Sequence, residues 1–152
     1  TYEQRLQKPY LNKKFFDLVN IDKDSLEPVI FFAYKDKEII AGSLCYRNNE
    51  CLYGRHWGAK HDIDSLHFEC CYYQGIEYCI RNNLKRFDPG VQGEHKIRRG
   101  FEPIETNSYH FILKEDFRNA IADFCNREKK EIRNYLDACK RYTPFNKEYK
   151  IK

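Results

Sequence analysis

Three apolar runs separated by short polar turns, then a long helical pattern and one more short apolar run, restrict this chain to a mixed sheet covered by helices. The runs occupy residues 29–34, 38–46 and 51–57, and the turns are Lys35-Asp36-Lys37 and Arg47-Asn48-Asn49-Glu50. β-rich runs joined through Asp and Asn predict hairpins, hence an antiparallel three-strand meander. Residues 65–81 lack proline and place Phe68, Tyr72, Ile76, Cys79 and Ile80 at helical spacing, which predicts a helix with Ser65 as its N-cap. Residues 84–88, stopped by Pro89-Gly90, read as a short strand. Strand, helix, strand is a crossover unit, so the strands ending at Trp57 and Asp88 are expected to be parallel neighbours with a right-handed connection.

The remaining segments fit around that unit. Residues 1–19 read as helical on both sides of Pro9, with Phe15, Phe16, Leu18 and Val19 as a packing cluster. Residues 104–113 are strand-like. A long C-terminal helix over about 116–141 carries an apolar stripe at Phe117, Ile121, Phe124, Ile132, Tyr135 and Cys139. The fold class is therefore α/β (α+β): a mixed sheet with a strand-helix-strand crossover and a long C-terminal helix. A length of 152 residues suits a single domain.

Composition narrows the function classes. A net charge of +4 permits an anionic substrate but falls short of the dense basic footprint of a DNA-binding protein. Seven cysteines are an odd number and most sit in predicted strands or helices, so they read as reduced core residues of a cytoplasmic protein. No long apolar run points to membrane insertion. The absence of Met and the helix-like opening suggest a piece of something longer.

Ligands in open α/β sheets gather beyond the carboxyl ends of parallel strands. Two segments are expected there: residues 54–59, with Arg55 and Trp57, and residues 90–100, with Gln92, Glu94, His95, Lys96, Arg98 and Arg99 among three glycines. The second brings a carboxylate, an imidazole and three cations together where glycine permits close approach. As a structural alternative it is a solvated basic turn. On the central helix, an ideal 100° wheel sets His67, Gln74, Glu77 and Arg81 on one partly solvated arc with Cys70, and puts Glu69 between Ile76 and Ile80 on the arc to be buried. A buried carboxylate needs a partner or a proton, so Glu69 is either a general base or the holder of Lys96 or Arg99; the structural alternative is an acid favoured by the helix N-terminus. His67-x-Glu69-x-Cys71 does not make a metal site, because residues two apart on a helix diverge and no Pro-Cys-x-x-Cys partner exists.

The order Leu52-Tyr-Gly-Arg-His-Trp-Gly58, then Leu66-His-Phe-Glu-Cys-Cys-Tyr-Tyr-Gln-Gly-Ile-Glu-Tyr78, then Arg86-Phe-Asp-Pro-Gly-Val-Gln-Gly-Glu-His-Lys96 with Arg99-Gly-Phe101 resembles the FemAB-like proteins of peptidoglycan biosynthesis or recognition. These share the fold of the acyl-CoA N-acyltransferase (GNAT) superfamily. The resemblance runs over nearly the whole chain. It implies the C-terminal half of a two-domain polypeptide, partnered by an N-terminal half, that transfers an acyl or aminoacyl group to a small-molecule or peptide amine. Acyl-CoA or aminoacyl-tRNA would be the donor. The catalytic set would be Glu69, Glu94 and His95; the substrate-binding set would be Arg55, Trp57, Tyr73, Gln74, Gln92, Lys96 and Arg99. The acetyltransferases' pyrophosphate loop would fall on Arg55-His-Trp-Gly58-Ala-Lys60, where Lys60 replaces a small residue. That departure weighs against acetyl-CoA and towards an aminoacyl donor, or towards a non-catalytic module that binds a peptide or cell-wall precursor.

Overall fold

Asp36 and Lys37 both have positive φ, 49° and 68°, which is the two-residue turn whose twist matches that of adjoining strands. It joins β1 (Glu27–Lys35) to β2 (Glu38–Arg47). The next turn is built differently. The Asn48 side-chain carbonyl accepts from the backbone N–H of Glu50 at 2.9 Å and of Cys51 at 2.8 Å, folding the chain into β3 (Cys51–Ala59). Both pairings are antiparallel, so the predicted meander is present. The computed structural model describes residues 8, 11–21, 27–91 and 93–145, and the chain falls into two compact units, Thr1–Val91 and Gln92–Lys152.

In the first unit the sheet order is β1-β2-β3-β4, with β4 (Arg86–Asp88) parallel to β3. The expected parallel neighbours are therefore real, though their pairing covers only Cys51↔Arg86, Leu52↔Phe87 and Tyr53↔Asp88. Beyond Tyr53, β3 continues to Ala59 paired with β2 alone. The strand expected to end at Trp57 thus runs two residues further, and all of residues 54–59 are strand.

The central helix covers residues 66–81 as predicted, but it is not uniform. Leu66–Phe68 is α-helical, Glu69–Tyr73 is a π turn and Gln74–Arg81 is α-helical again. An i→i+5 turn inserts one residue, so the ideal wheel fails across it. Cys70, Tyr72, Gly75 and Cys79 are the buried residues, and Ile80 is 71% exposed. Of the arc predicted to be solvated, Cys70 packs while Glu77 and Arg81 stay exposed; of the residues predicted to be apolar and buried, Tyr72 and Cys79 are buried, whereas Ile80 is turned out with Glu69. Ser65 precedes the helix with φ 63° and makes no side-chain cap; its hydroxyl donates to Asp64 instead.

Packing follows from sheet alternation. Val29 and Phe31 of β1, Cys45 of β2, Leu52 of β3 and Phe87 of β4 meet Tyr78 and Cys79 of the helix and Leu84 after it. Leu52 is fully buried, which contributes about 1.5–3 kcal/mol. Gly75 lets the helix approach closely: a Cβ there would lie 2.5 Å from two carbons of the Phe87 ring. Ser43, buried to 2% exposure, donates its hydroxyl at 2.7 Å to the Cys70 carbonyl. Strand β2 thereby supplies a donor to the π turn.

The short helix Lys13–Ile21 starts at Asn12, whose side-chain oxygen accepts from the Phe15 N–H at 3.1 Å. Phe15 and Phe16 meet edge to face at 5.3 Å, but Phe16 and Leu18 are exposed, so the expected cluster packs only in part. The break at Pro9 lies outside the described residues.

The second unit opens with a 3-10 helix, Glu94–Arg99, and contains the long helix Glu115–Cys139. Residues 101–112 form no strand, which corrects the strand expected at 104–113. A lone extended segment has no ladder to satisfy its backbone groups, and Ile104, Tyr109, Phe111 and Leu113 are exposed. The stripe on the long helix is present in sequence but only Cys139 is buried; Phe117, Phe124, Ile132 and Tyr135 are exposed.

Candidate functional site

The predicted residues fall into two sets, one in each unit. In the first unit, Trp57 pairs with Ser43 in the sheet register and its half-buried indole meets the edge of His67 at 5.4 Å between centroids. His67 also contacts Tyr72 and Phe68, so Trp57 is a strut between β3 and the start of the central helix. Arg55 is the extra residue of a β-bulge, since Cys45 pairs with Gly54 and Leu44 with His56. Bulges re-aim side chains. The exposed Arg55 guanidinium acts on Tyr46 and His56, residues that alternate with Cys45 and so belong to the sheet face away from the helix. Arg55 and Trp57, expected to serve one place, address opposite faces.

Glu69 is exposed, not turned inwards. Its carboxylate accepts a 2.7 Å hydrogen bond from Gln74 Nε2, and the Gln74 backbone N–H bonds the Glu69 carbonyl. Five residues apart, these side chains would diverge by about 140° on an α-helix, and the π turn stacks them. Tyr73 on the same turn is 44% exposed and Gln74 is half-buried.

In the second unit, Glu94, His95, Lys96 and Arg99 share the 3-10 helix, which is bracketed by Gly93 at φ 108° and Gly100 at φ 90°. Both conformations favour glycine. A Cβ on Gly93 would collide with the His95 ring, and one on Gly100 would lie 2.6 Å from Phe145. Buried Ile97 anchors the turn. Arg99 Nη1 donates to the His95 carbonyl at 2.8 Å, and Tyr135 donates to Glu94 Oε1 at 3.5 Å. Burial first, then the Arg99 and Lys96 charges, hold the His95 imidazole below its usual range. Hydrogen bonding with Cys139, burial and the Glu94 charge push the Tyr135 phenol up. Gln92 lies outside the described residues.

Chemically, the second set offers a neutral imidazole, a carboxylate and two cations on six residues of backbone. A groove of about 530 Å³ runs along the long helix, lined by Glu102, Pro103, Arg133, Leu136, Asp137, Lys140 and Thr143, and none of the predicted residues lines it. Among the described residues no group of three or more His, Cys, Asp or Glu could hold a metal ion, and no helix is long and apolar enough to cross a membrane. None of the seven cysteines forms a disulfide among the described residues.

Two features escaped the sequence reading. The π turn left a trace in the small buried residues Cys70, Gly75 and Cys79, whose spacing of five then four differs from an α-helical repeat. The other is Tyr46, whose hydroxyl is buried without a hydrogen-bond partner among the described residues; alternation assigns its face, but nothing in the sequence marks its burial.

No curated protein and no solved structure matches the chain. Residues 1–147 match one protein family, FemAB-like, described as peptidoglycan biosynthesis/recognition. The match takes in every motif that carried the resemblance and all the described residues. The chain belongs to the FemAB-like family of peptidoglycan biosynthesis/recognition proteins.

Proposed function

We propose that this protein is an N-acyltransferase of GNAT-like fold that moves an acyl or aminoacyl group onto an amine of a cell-wall precursor or peptide. It would work in the cytoplasm as the C-terminal half of a two-domain polypeptide. The observation that carries the reading is the glycine-bracketed turn of the second unit, in a chain of this family. Amide formation needs a base for the amine and positive charge for the developing oxyanion. His95, held neutral by its surroundings, takes the amine proton as the nitrogen attacks the donor carbonyl, and Lys96 and Arg99 stabilise the tetrahedral oxyanion. Attack forms the C–N bond; collapse of the oxyanion restores the carbonyl and breaks the C–S bond of an acyl-CoA or the C–O bond of an aminoacyl-tRNA, and His95 returns the proton to the leaving group. Glu94, tied to Tyr135, orients this turn. Glu69, solvated and bonded to Gln74, is a ligand contact on the first unit rather than the base.

The test is transfer of labelled donor, acyl-CoA and aminoacyl-tRNA in separate arms, to an amine-bearing muropeptide by the full-length polypeptide. His95→Gln should lower the rate by about 100-fold or more while leaving the circular dichroism unchanged. A second reading, a non-catalytic module for cell-wall precursors, is favoured by the exposure of Glu69. Saturable muropeptide binding without transfer from either donor would establish it and remove the first.

A further inference from the structure

The bulge in β3 creates a cluster that the proposed transfer does not use. Register places Tyr46 opposite Tyr53, and Leu44, two residues earlier on the same face, opposite His56. Arg55 is the residue that the bulge inserts beside them, and its charge acts on both Tyr46 and His56. The hydrogen-bonding capacity of the cluster is unbalanced. The Tyr46 hydroxyl is buried and bonds to no described residue. Arg55 is exposed and makes no ion pair with any described residue. A guanidinium has only donors to offer, and a buried phenol hydroxyl is satisfied by an acceptor. A buried donor without an acceptor costs stability, and in a native fold it calls for an explanation such as a ligand or ion.

We propose that Tyr46 and Arg55 form an oxyanion-binding subsite on the bulged segment of β3, taking a carboxylate or phosphate oxygen as the shared acceptor. Arg55, at the surface, draws the anion in and pairs with one oxygen. Tyr46 donates to a second oxygen, so the pair reads a group with at least two oxygens rather than a lone negative charge. His56 lies beside them and reports occupancy: burial first, then the Arg55 charge, hold its imidazole below the usual range, and an anion on Arg55 offsets the second of these. The subsite lies wholly within the first unit and does not depend on acyl transfer or on His95.

The experiment is an NMR titration of the full chain, following the His56 ring resonances at constant ionic strength against chloride. One arm adds acetate and the other inorganic phosphate. Saturable shifts are expected in at least one arm, with the His56 pKa rising on saturation; the arm that saturates at lower concentration names the source of the oxyanion. Tyr46→Phe, which keeps the ring, should weaken binding about tenfold or more, and Arg55→Gln should abolish it. Thermal melts of Tyr46→Phe should lie at or above those of wild type, since the variant removes an unpartnered hydroxyl. Absence of saturation in both arms, or unweakened binding by Tyr46→Phe, overturns the subsite. Neither result bears on transfer by His95, and a dead His95→Gln enzyme leaves anion binding intact.

Discussion

Gly75→Ala puts the packing of the central helix on β4 to a quantitative test. The new methyl would sit 2.5 Å from Cε1 and Cζ of Phe87 and 3.4 Å from Leu52 Cδ2. Two effects oppose each other. Alanine is favoured over glycine in a helix interior by about 0.8–1.0 kcal/mol. Restoring an ordinary carbon contact of about 3.5–4.0 Å requires the Phe87 ring to retreat by about 1 Å or more. Phe87 is the middle residue of a three-residue strand and pairs with fully buried Leu52, so the ring cannot retreat without moving β4. Overpacking of this kind costs about 1–3 kcal/mol, which exceeds the helical gain and leaves a net loss of about 1 kcal/mol. Urea denaturation followed by circular dichroism reads this directly. The sharper measurement is a double-mutant cycle with Phe87→Leu, which removes the ring: there Gly75→Ala should be neutral or stabilising, giving a coupling of about 1 kcal/mol or more. Additivity of the two substitutions within about 0.5 kcal/mol, or stabilisation by Gly75→Ala alone, would refute the close helix–strand contact.

Four further outcomes follow from geometry and charge. Ser43→Ala leaves the Cys70 carbonyl without its 2.7 Å donor and should cost about 1–3 kcal/mol in the same denaturation assay. Gly93→Ala forces a side chain into positive φ and into the His95 ring, so it should destabilise by about 1–2 kcal/mol and shift the His95 resonances. Because the folded His95 pKa lies below its unfolded value, the unfolded state binds more protons between the two. Its contribution to stability is therefore complete above about pH 6.5 and lost as pH falls towards the folded pKa. Removing a neighbouring cation, as in Lys96→Ala, should raise the His95 pKa in an NMR titration. Burial pushes the Cys45 and Cys79 thiols up to about 11, so at pH 8 only about 0.1% of either is thiolate. Mass spectrometry after brief alkylation of the native protein should find both unmodified and half-exposed Cys71 and Cys125 labelled.

The order of elements was legible because each strand carried its own signals: β-rich runs, an Asp-Lys turn, an Asn turn and a Pro-Gly stop. Parallel pairing of β3 with β4 followed from the crossover. What failed depended on long-range context. The inward placement of Glu69 assumed one helical period across residues 66–81, and a single inserted residue at the π turn carried the carboxylate to the solvent side. The strand expected at 104–113 had the right composition but no partner to bond with, and composition cannot report a missing neighbour. The glycine-rich segment was visible as chemistry, whereas its 3-10 geometry emerged only from the positive φ of Gly93 and Gly100. Tyr46 was invisible because burial of one hydroxyl depends on everything around it.

The π turn has an orientational consequence. An unbroken helix shows the sheet one straight seam, and every side chain on that seam rotates together if the helix rolls. Here the seam is dog-legged: the segment before the turn rests on the Trp57 edge, the segment after it on Phe87 and Leu52. Each end is keyed to a different strand, so the helix cannot roll on its axis as a rigid rod without breaking one of its two seatings.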